Sequence, residues 1–175
     1  PATARAQNGT VTGTVTNQAT AAPATSGSVV LCSPTSCFGF TLNASGVYTF
    51  PGLADASYYV RTNGGGALIN QLHNGVISIN CTVTTSGGTL VPVTSGGTAT
   101  IDFALSPGGR ISGTVTNASG GAPLPNILVQ LFSATGANLG SFNTNASGVY
   151  TTRGLPDGTY YLRTSNTQGF VDKLF

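Results

Sequence analysis

The chain has 175 residues with a formal net charge of +2, and only 6% of its residues are charged, against about 25% in an average soluble domain. Its six cations are scattered, which argues against the clustered basic face that nucleic-acid phosphates require. No apolar run reaches the length of a membrane span. Abundant Val, Ile, Thr, Tyr and Phe favour β-strands and distinguish the chain from disordered polypeptides.

The first seven residues alternate alanine with polar side chains, as an extended strand does. Ala2, Ala4 and Ala6 fall on one face, with polar residues on the other. The sequence Ala4-Arg5-Ala6 also has the small-x-small pattern of a signal-peptide cleavage site, which is typical of a secreted chain. We predict that residues 1–7 form a tail and a candidate donor strand.

Two copies of one sequence unit follow the tail, and this repetition is the strongest signal in the chain. The matched pairs of segments are 9–17 with 109–117, 43–49 with 145–151, and 52–62 with 154–164. The offset is 100 residues in the first pair and 102 in the other two, so a two-residue insertion separates the copies. Repetition of this kind indicates two structurally equivalent units.

Apolar and polar residues alternate within each copy, as in strands that bury one face. Val11, Gly13 and Val15 share one face of the first segment, with threonines on the other face, and Ile111 and Val115 hold the equivalent positions in the second copy. Turn residues interrupt such segments about every ten residues, which is the pattern of antiparallel sandwiches. Large residues on the apolar faces are expected to be buried: Tyr48, Leu53 and Tyr58, with Tyr150, Leu155 and Tyr160.

We therefore predict an all-β chain of two tandem antiparallel β-sandwiches. The predicted boundaries are a tail at residues 1–7, a first sandwich at 8–106, a short linker at 107–109 and a second sandwich at 110–175.

The second copy has no counterpart of the last part of the first. Phe175 is equivalent to His73, after which the first copy continues to the alternating strand 101–105. The second sandwich is therefore predicted to lack its last strand and to expose Ile111, Val115 and Val129 along an open edge. An open apolar edge recruits a strand, either from the tail of another copy, head to tail, or from further repeats of a longer chain.

The repeated motifs resemble those of the carboxypeptidase regulatory-like domain family. The resemblance rests on G-x-I-S-G-T-V-T, A-S-G-x-Y and G-L-P-x-G-T-Y-Y-L-R-T, and it covers nearly the whole chain. It implies a seven-stranded sandwich of the transthyretin-like, or immunoglobulin-like, type in each copy, and it supplies no catalytic residues. It also implies one of two settings, an accessory domain beside a secreted peptidase or an array in a secreted or surface protein.

Few catalytic or metal-binding groupings can be built from these residues. The chain has one histidine, His73, four aspartates and no glutamate, and it has no nucleophile-elbow motif. Asp55 and Asp157 hold equivalent turn positions, where an aspartate either satisfies the turn backbone or contributes to a calcium site. We predict neither a catalytic site nor a metal or cofactor.

One repeated polar set is a candidate interaction face. Strand alternation places Tyr59 with Arg61, and Tyr161 with Arg163, on the outer face of a sheet. Exposed tyrosines with neighbouring arginines can stack on sugars or on another subunit. The alternative is ordinary cross-strand packing.

Glycan attachment is a further candidate feature of the two copies. Asn43 and Asn145 stand in equivalent N-x-S sequons in predicted loops and are candidate glycosylation sites.

Three classes of function remain open. Tandem repetition, a threonine-rich surface and few ionisable groups favour an extracellular or cell-surface structural or adhesive protein. A non-catalytic carbohydrate- or protein-binding accessory module would need an exposed aromatic platform. An enzyme would need activity that depends on His73.

The three cysteines bear on the compartment. Cys32 and Cys37 flank a Ser-Pro-Thr-Ser turn between two strand-like segments, which favours a disulfide across a hairpin and an oxidising compartment. Two buried thiols are the alternative. Cys81 is left over, either buried or paired outside this chain.

Thiol labelling without reduction tests this pairing. Cys32 and Cys37 are expected to resist alkylation because both sulfurs are bonded, which leaves Cys81 as the one candidate for labelling. Mass spectrometry of the labelled peptides reads out the result. Three reactive thiols in protein purified from its native source would exclude the disulfide.

Overall fold

A computed structural model describes residues 8–64, 66–80 and 87–175. Within these residues every regular element is a β-strand, so the predicted all-β class is confirmed. The chain divides into two compact units, Pro1–Pro107 and Gly108–Phe175, which we call the first and second units. The tail at residues 1–7 and Cys81 lie outside the described residues.

Thirteen strands follow one another in the described part of the chain. Those of the first unit are β1 (Gly9–Asn17), β2 (Ser28–Cys32), β3 (Cys37–Thr41), β4 (Val47–Leu53), β5 (Ala56–Asn63), β6 (Leu90–Val93), β7 (Thr98–Thr100) and β8 (Phe103–Leu105). Those of the second unit are β9 (Ser112–Thr114), β10 (Leu128–Ser133), β11 (Asn138–Asn143), β12 (Val149–Thr151) and β13 (Tyr160–Ser165).

Two sheets form the first unit. One has the order β3-β2-β5-β6 and is antiparallel throughout. In the other, β1 pairs antiparallel with β4 on one edge and parallel with β7 and β8 on the other. The apolar faces of the two sheets meet in one cluster of buried side chains, which includes Val11, Val15, Val29, Leu31 and Tyr48.

Residues 98–105, which we call the closing segment, complete this core. Phe103 and Leu105 are buried in it, and the ring centroid of Phe103 lies 6.5 Å from that of Tyr48. The Tyr48 hydroxyl donates a hydrogen bond to the Ile101 carbonyl oxygen. Burial, and secondarily the charge of Asp102, raise the pKa of Tyr48 because both disfavour the phenolate.

The second unit contains counterparts of β1 to β5 only. β10 pairs with β11 and β13 in one sheet, and β9 pairs with β12 in the other. No counterpart of β6, β7 or β8 occurs in residues 108–175. β9 therefore pairs with β12 alone, whereas β13 pairs with β10 and, through backbone hydrogen bonds, with residues 173–175. β9 has three residues where β1 has nine.

The apolar side chains of β1 are more deeply buried than their counterparts in the second unit, because β1 has a neighbouring strand on both edges. Val11 and Val15 are 0% exposed, whereas Ile111 and Val115 are only half-buried, which agrees with the predicted open edge. Val129 is buried, and its predicted exposure is wrong, because β10 has a strand on both sides.

The tyrosines of the second unit also differ from their counterparts. Tyr48 and Tyr58 are buried as predicted, and so are Leu53 and Leu155. Tyr150 and Tyr160 are half-buried, so full burial was wrong for them. Tyr150 faces the edge that the closing segment covers in the first unit, and its pKa is raised by burial.

The Tyr48–Ile101 hydrogen bond can be tested with a matched pair of variants. Tyr48→Phe leaves the Ile101 carbonyl without its phenol donor inside the core, and we expect a loss of about 1–3 kcal/mol in the free energy of unfolding. Tyr150→Phe is the control, with an expected change within about 0.5 kcal/mol, because Tyr150 is only half-buried. Denaturant titration followed by circular dichroism measures both. Equal losses would contradict the different roles assigned to the two hydroxyls.

Candidate functional site

An open groove runs along β9 in the second unit. It consists of two adjoining cavities of about 360 and about 440 Å³, and both are lined by Thr114, Val115, Thr164 and Phe175. The smaller cavity also borders Gly113, Val129, Tyr150 and Leu162. The groove therefore has an apolar floor beside a strand edge.

The backbone of β9 presents hydrogen-bonding groups to this groove. Tyr150 stands opposite Gly113 and Val149 opposite Thr114 in the β9–β12 pair, and the amide of Val115 donates to the Gly148 carbonyl. Because bonding groups alternate between the two edges of an antiparallel strand, the amide and carbonyl of Thr114 point away from β12. The edge of β9 that faces the groove is therefore free to pair with a strand.

The same edge is occupied in the first unit. There the Thr10 amide donates to the Gly97 carbonyl, the Ile101 amide donates to the Thr12 carbonyl, and the Gln18 amide donates to the Leu105 carbonyl. The closing segment thus follows β1 along its length, with its apolar side chains in the core.

Apolar side chains are exposed at the rim of the groove. Val171 is 87% exposed, whereas Ile69, its counterpart, is 7% exposed. In the first unit the Ile69 amide donates to the Ser106 carbonyl, directly after the closing segment. Phe170 and Phe175, which also line the groove, are exposed as well. A strand in the groove would therefore cover part of this rim as well.

The candidate interaction face differs between the units. Tyr59 and Arg61 are half-buried rather than exposed, because Leu72, which is completely buried, packs with Tyr59 and Cys32 over that part of the sheet. Leu174 forms the equivalent bridge to Arg163 in the second unit but is 68% exposed. Arg61 Nε is buried and has no hydrogen-bond partner among the described residues.

In the second unit the equivalent pair is exposed. Tyr161 is 43% exposed, and Arg163 is also exposed. The Arg163 guanidinium lies 5.5 Å from the ring centroid of Phe132 and donates two hydrogen bonds to Gln130 Oε1. These contacts hold Arg163 across the sheet beside Tyr161.

The other candidate residues lie apart from the groove or at its first-unit counterpart. The structure joins Cys32 and Cys37, which are cross-strand partners, in a disulfide. His73 follows Leu72 and is half-buried, and burial lowers its pKa because it disfavours the imidazolium. Asp55 accepts a hydrogen bond from Ser95 Oγ, and Asp157 lies in an exposed turn.

The two candidate glycosylation sites are exposed. Asn43 Oδ1 accepts hydrogen bonds from the amide and hydroxyl of Ser45, and Asn145 Oδ1 accepts from the amides of Ser147 and Val149. Both side chains therefore stabilise their own turns.

Within the described residues there is no group of three or more His, Cys, Asp and Glu side chains able to hold a metal ion. No helix long and apolar enough to cross the bilayer is found in that part of the chain.

The sequence located this groove only in part. The repeat predicted an open edge beside Ile111 and Val115, and both residues are half-buried there. The exposed rim at Phe170, Val171 and Phe175 was not predicted. The signal available was the match of Val171 to the apolar position of Ile69.

Several solved structures are similar to this chain at low sequence identity. The Bacillus anthracis TIE protein is 16% identical with a TM-score of 0.44, over 97% of this chain and 31% of that one. A Streptococcal ancillary pilin is 13% identical with a TM-score of 0.43, over 95% of this chain and 57% of that one. The shaft pilin SpaA from Lactobacillus rhamnosus GG is 10% identical with a TM-score of 0.40, over 97% and 92% of the two chains. This chain spans less than two thirds of the length of the first two.

Sequence comparison finds a family match in the second unit. No curated protein sequence matches the chain. The profile of the carboxypeptidase regulatory-like domain family matches residues 110–171, which hold all five strands of the second unit. The chain therefore carries a carboxypeptidase regulatory-like domain at residues 110–171.

Proposed function

We propose that this chain is a non-catalytic structural or adhesive repeat protein of the cell surface or extracellular space, which assembles by strand complementation. One observation carries the proposal: β9 leaves open the edge that the closing segment covers on β1. The groove along that edge combines unpaired backbone groups with an apolar floor. Such an edge is a template for an added strand.

Two further features support an extracellular and a non-catalytic role, respectively. The Cys32–Cys37 disulfide suits an oxidising compartment. The low content of charged side chains, with one histidine and no glutamate, leaves few groups for acid–base catalysis.

The candidate donor is the tail at residues 1–7 of another copy, which lies outside the described residues. It precedes Gly9 in the sequence as the closing segment precedes Gly109. Insertion of one chain's tail into the next chain's groove is a heterologous contact, and such contacts propagate into a filament when they do not close into a ring. A further repeat of a longer chain is the alternative donor.

A second candidate function, a carbohydrate- or protein-binding accessory module, is favoured by the exposure of Tyr161 beside Arg163. An exposed aromatic ring next to a fixed guanidinium is a surface on which a sugar ring can stack. Loss of glycan-array binding in the Tyr161→Ala variant would support this function. The Tyr59→Ala variant is the control, and it should keep binding because Tyr59 is half-buried.

Removal of the tail tests the proposed assembly. Deletion of residues 1–7 is expected to abolish filaments in electron micrographs and to leave monomers in sedimentation velocity, because the groove loses its donor. The control replaces residues 1–7 with a Gly/Ser segment of equal length, which keeps the chain length but removes the alanine face. Unchanged assembly in both variants would refute donation by the tail.

A further inference from the structure

We propose that the open groove selects its strand by sequence. The preferred occupant is an extended segment that runs parallel to β9 and carries the pattern aliphatic–Asp–aromatic–x–aliphatic, as residues 101–105 do. The inference deepens the proposed function, on which it rests, because it names the chemistry of the partner strand. The first unit is the template, since its β1 carries the same sequence, Gly-Thr-Val-Thr-Asn, and is occupied.

The aspartate of this pattern is recognised by a threonine. In the first unit Asp102 Oδ1 accepts hydrogen bonds from the amide of Thr14 at 2.7 Å and from its hydroxyl at 2.8 Å. Thr114 is the counterpart of Thr14, and it is exposed on the groove side of β9. Hydrogen bonds to an ionised carboxylate are about twice as strong as neutral ones. An aspartate at this position of the incoming strand is therefore favoured over a neutral side chain.

A glycine marks the point where the incoming backbone crosses the strand. A Cβ on Gly13 would lie 1.9 Å from the Ile101 carbonyl oxygen, so the closing segment fits only because position 13 is glycine. At Gly113 the nearest atoms to such a Cβ belong to the Tyr150 side chain, at 2.9–3.1 Å. No backbone in the described residues comes that close to Gly113. The glycine therefore leaves room for an incoming strand.

A tyrosine hydroxyl that can donate a hydrogen bond lies beside this glycine. Tyr48 donates to the Ile101 carbonyl directly above Gly13. Tyr150 is its counterpart, and its hydroxyl lies above Gly113, where an incoming carbonyl would arrive. The phenol can donate to the first aliphatic residue of the strand.

The floor of the groove fits large apolar side chains. Phe103 and Leu105 are buried in the first unit, opposite Val15 and Asn17. The smaller cavity, about 360 Å³, lies beside Val115, which is the counterpart of Val15. Alanines fill this space less completely than phenylalanine and leucine and bury less apolar area. The tail, with alanines and no aspartate, should therefore bind more weakly than a strand of the 101–105 type.

Peptide binding to the full chain tests this selectivity. A labelled peptide with the sequence of residues 100–106 is titrated with the chain, at concentrations where the chain is monomeric, and fluorescence anisotropy gives the affinity. Replacing its aspartate with asparagine is expected to weaken binding about tenfold or more. A peptide with the sequence of residues 1–7 is expected to bind more weakly than the parent peptide.

Variants of the protein test whether the peptide binds in the groove. Gly113→Ala is expected to abolish binding, because the new methyl group occupies the crossing point and displaces the Tyr150 side chain, whose atoms lie 2.9–3.1 Å from it. Circular dichroism of the free chain checks that the variant is folded. Gly120→Ala is the matched control, since a Cβ at that glycine meets no atom within 4 Å. A spin label on the amino end of the peptide should broaden the amide signal of Gly113, and one on the carboxyl end that of Asn117.

Each contrary result has a distinct meaning. Equal binding of the aspartate and asparagine peptides would overturn recognition by Thr114, and equal binding to Gly113→Ala would place the peptide elsewhere. Equal binding of the tail peptide would overturn the selectivity but leave strand complementation intact. The reversed broadening pattern would overturn the parallel orientation. Assembly of the chain without residues 1–7 separately tests donation by the tail.

Discussion

Pairing of the first strand of a unit along both of its edges controls burial throughout that unit. In the first unit, β4 and the closing segment flank β1, and Val11, Val15 and Tyr48 are completely buried. In the second unit only β12 flanks β9, and the equivalent side chains are half-buried. The two units share their sequence motifs, so the difference comes from the presence or absence of one neighbouring strand.

The close approach of two backbones makes this pairing specific. The Ile101 carbonyl passes over Gly13 and accepts a hydrogen bond from Tyr48, while Asp102 holds the amide and hydroxyl of Thr14. A glycine, a tyrosine and a threonine therefore act together on one incoming segment. The second unit retains all three residue types, which is why its groove is a selective site as well as an exposed apolar surface.

The outer faces of the sheets follow a second rule, which is coverage by later chain segments. Leu72 packs with Tyr59 and Cys32 against the sheet that holds Tyr59 and Arg61, and Tyr59 and Arg61 are half-buried. In the second unit the corresponding pair, Tyr161 and Arg163, is exposed and organised by Phe132 and Gln130. One motif thus serves packing in one unit and remains available for contact in the other.

The sequence alone determined the strands and their inward faces, because a period of two and the repeat depend only on local backbone geometry. It also favoured the pairing of Cys32 with Cys37 across a short hairpin turn, and the structure contains this disulfide. Exposure of Tyr59, Arg61, Tyr150 and Val129 was decided by tertiary structure. Whether a strand face is covered depends on which distant segment pairs beside it or packs over it. The alternation of residues along one strand does not specify those neighbours.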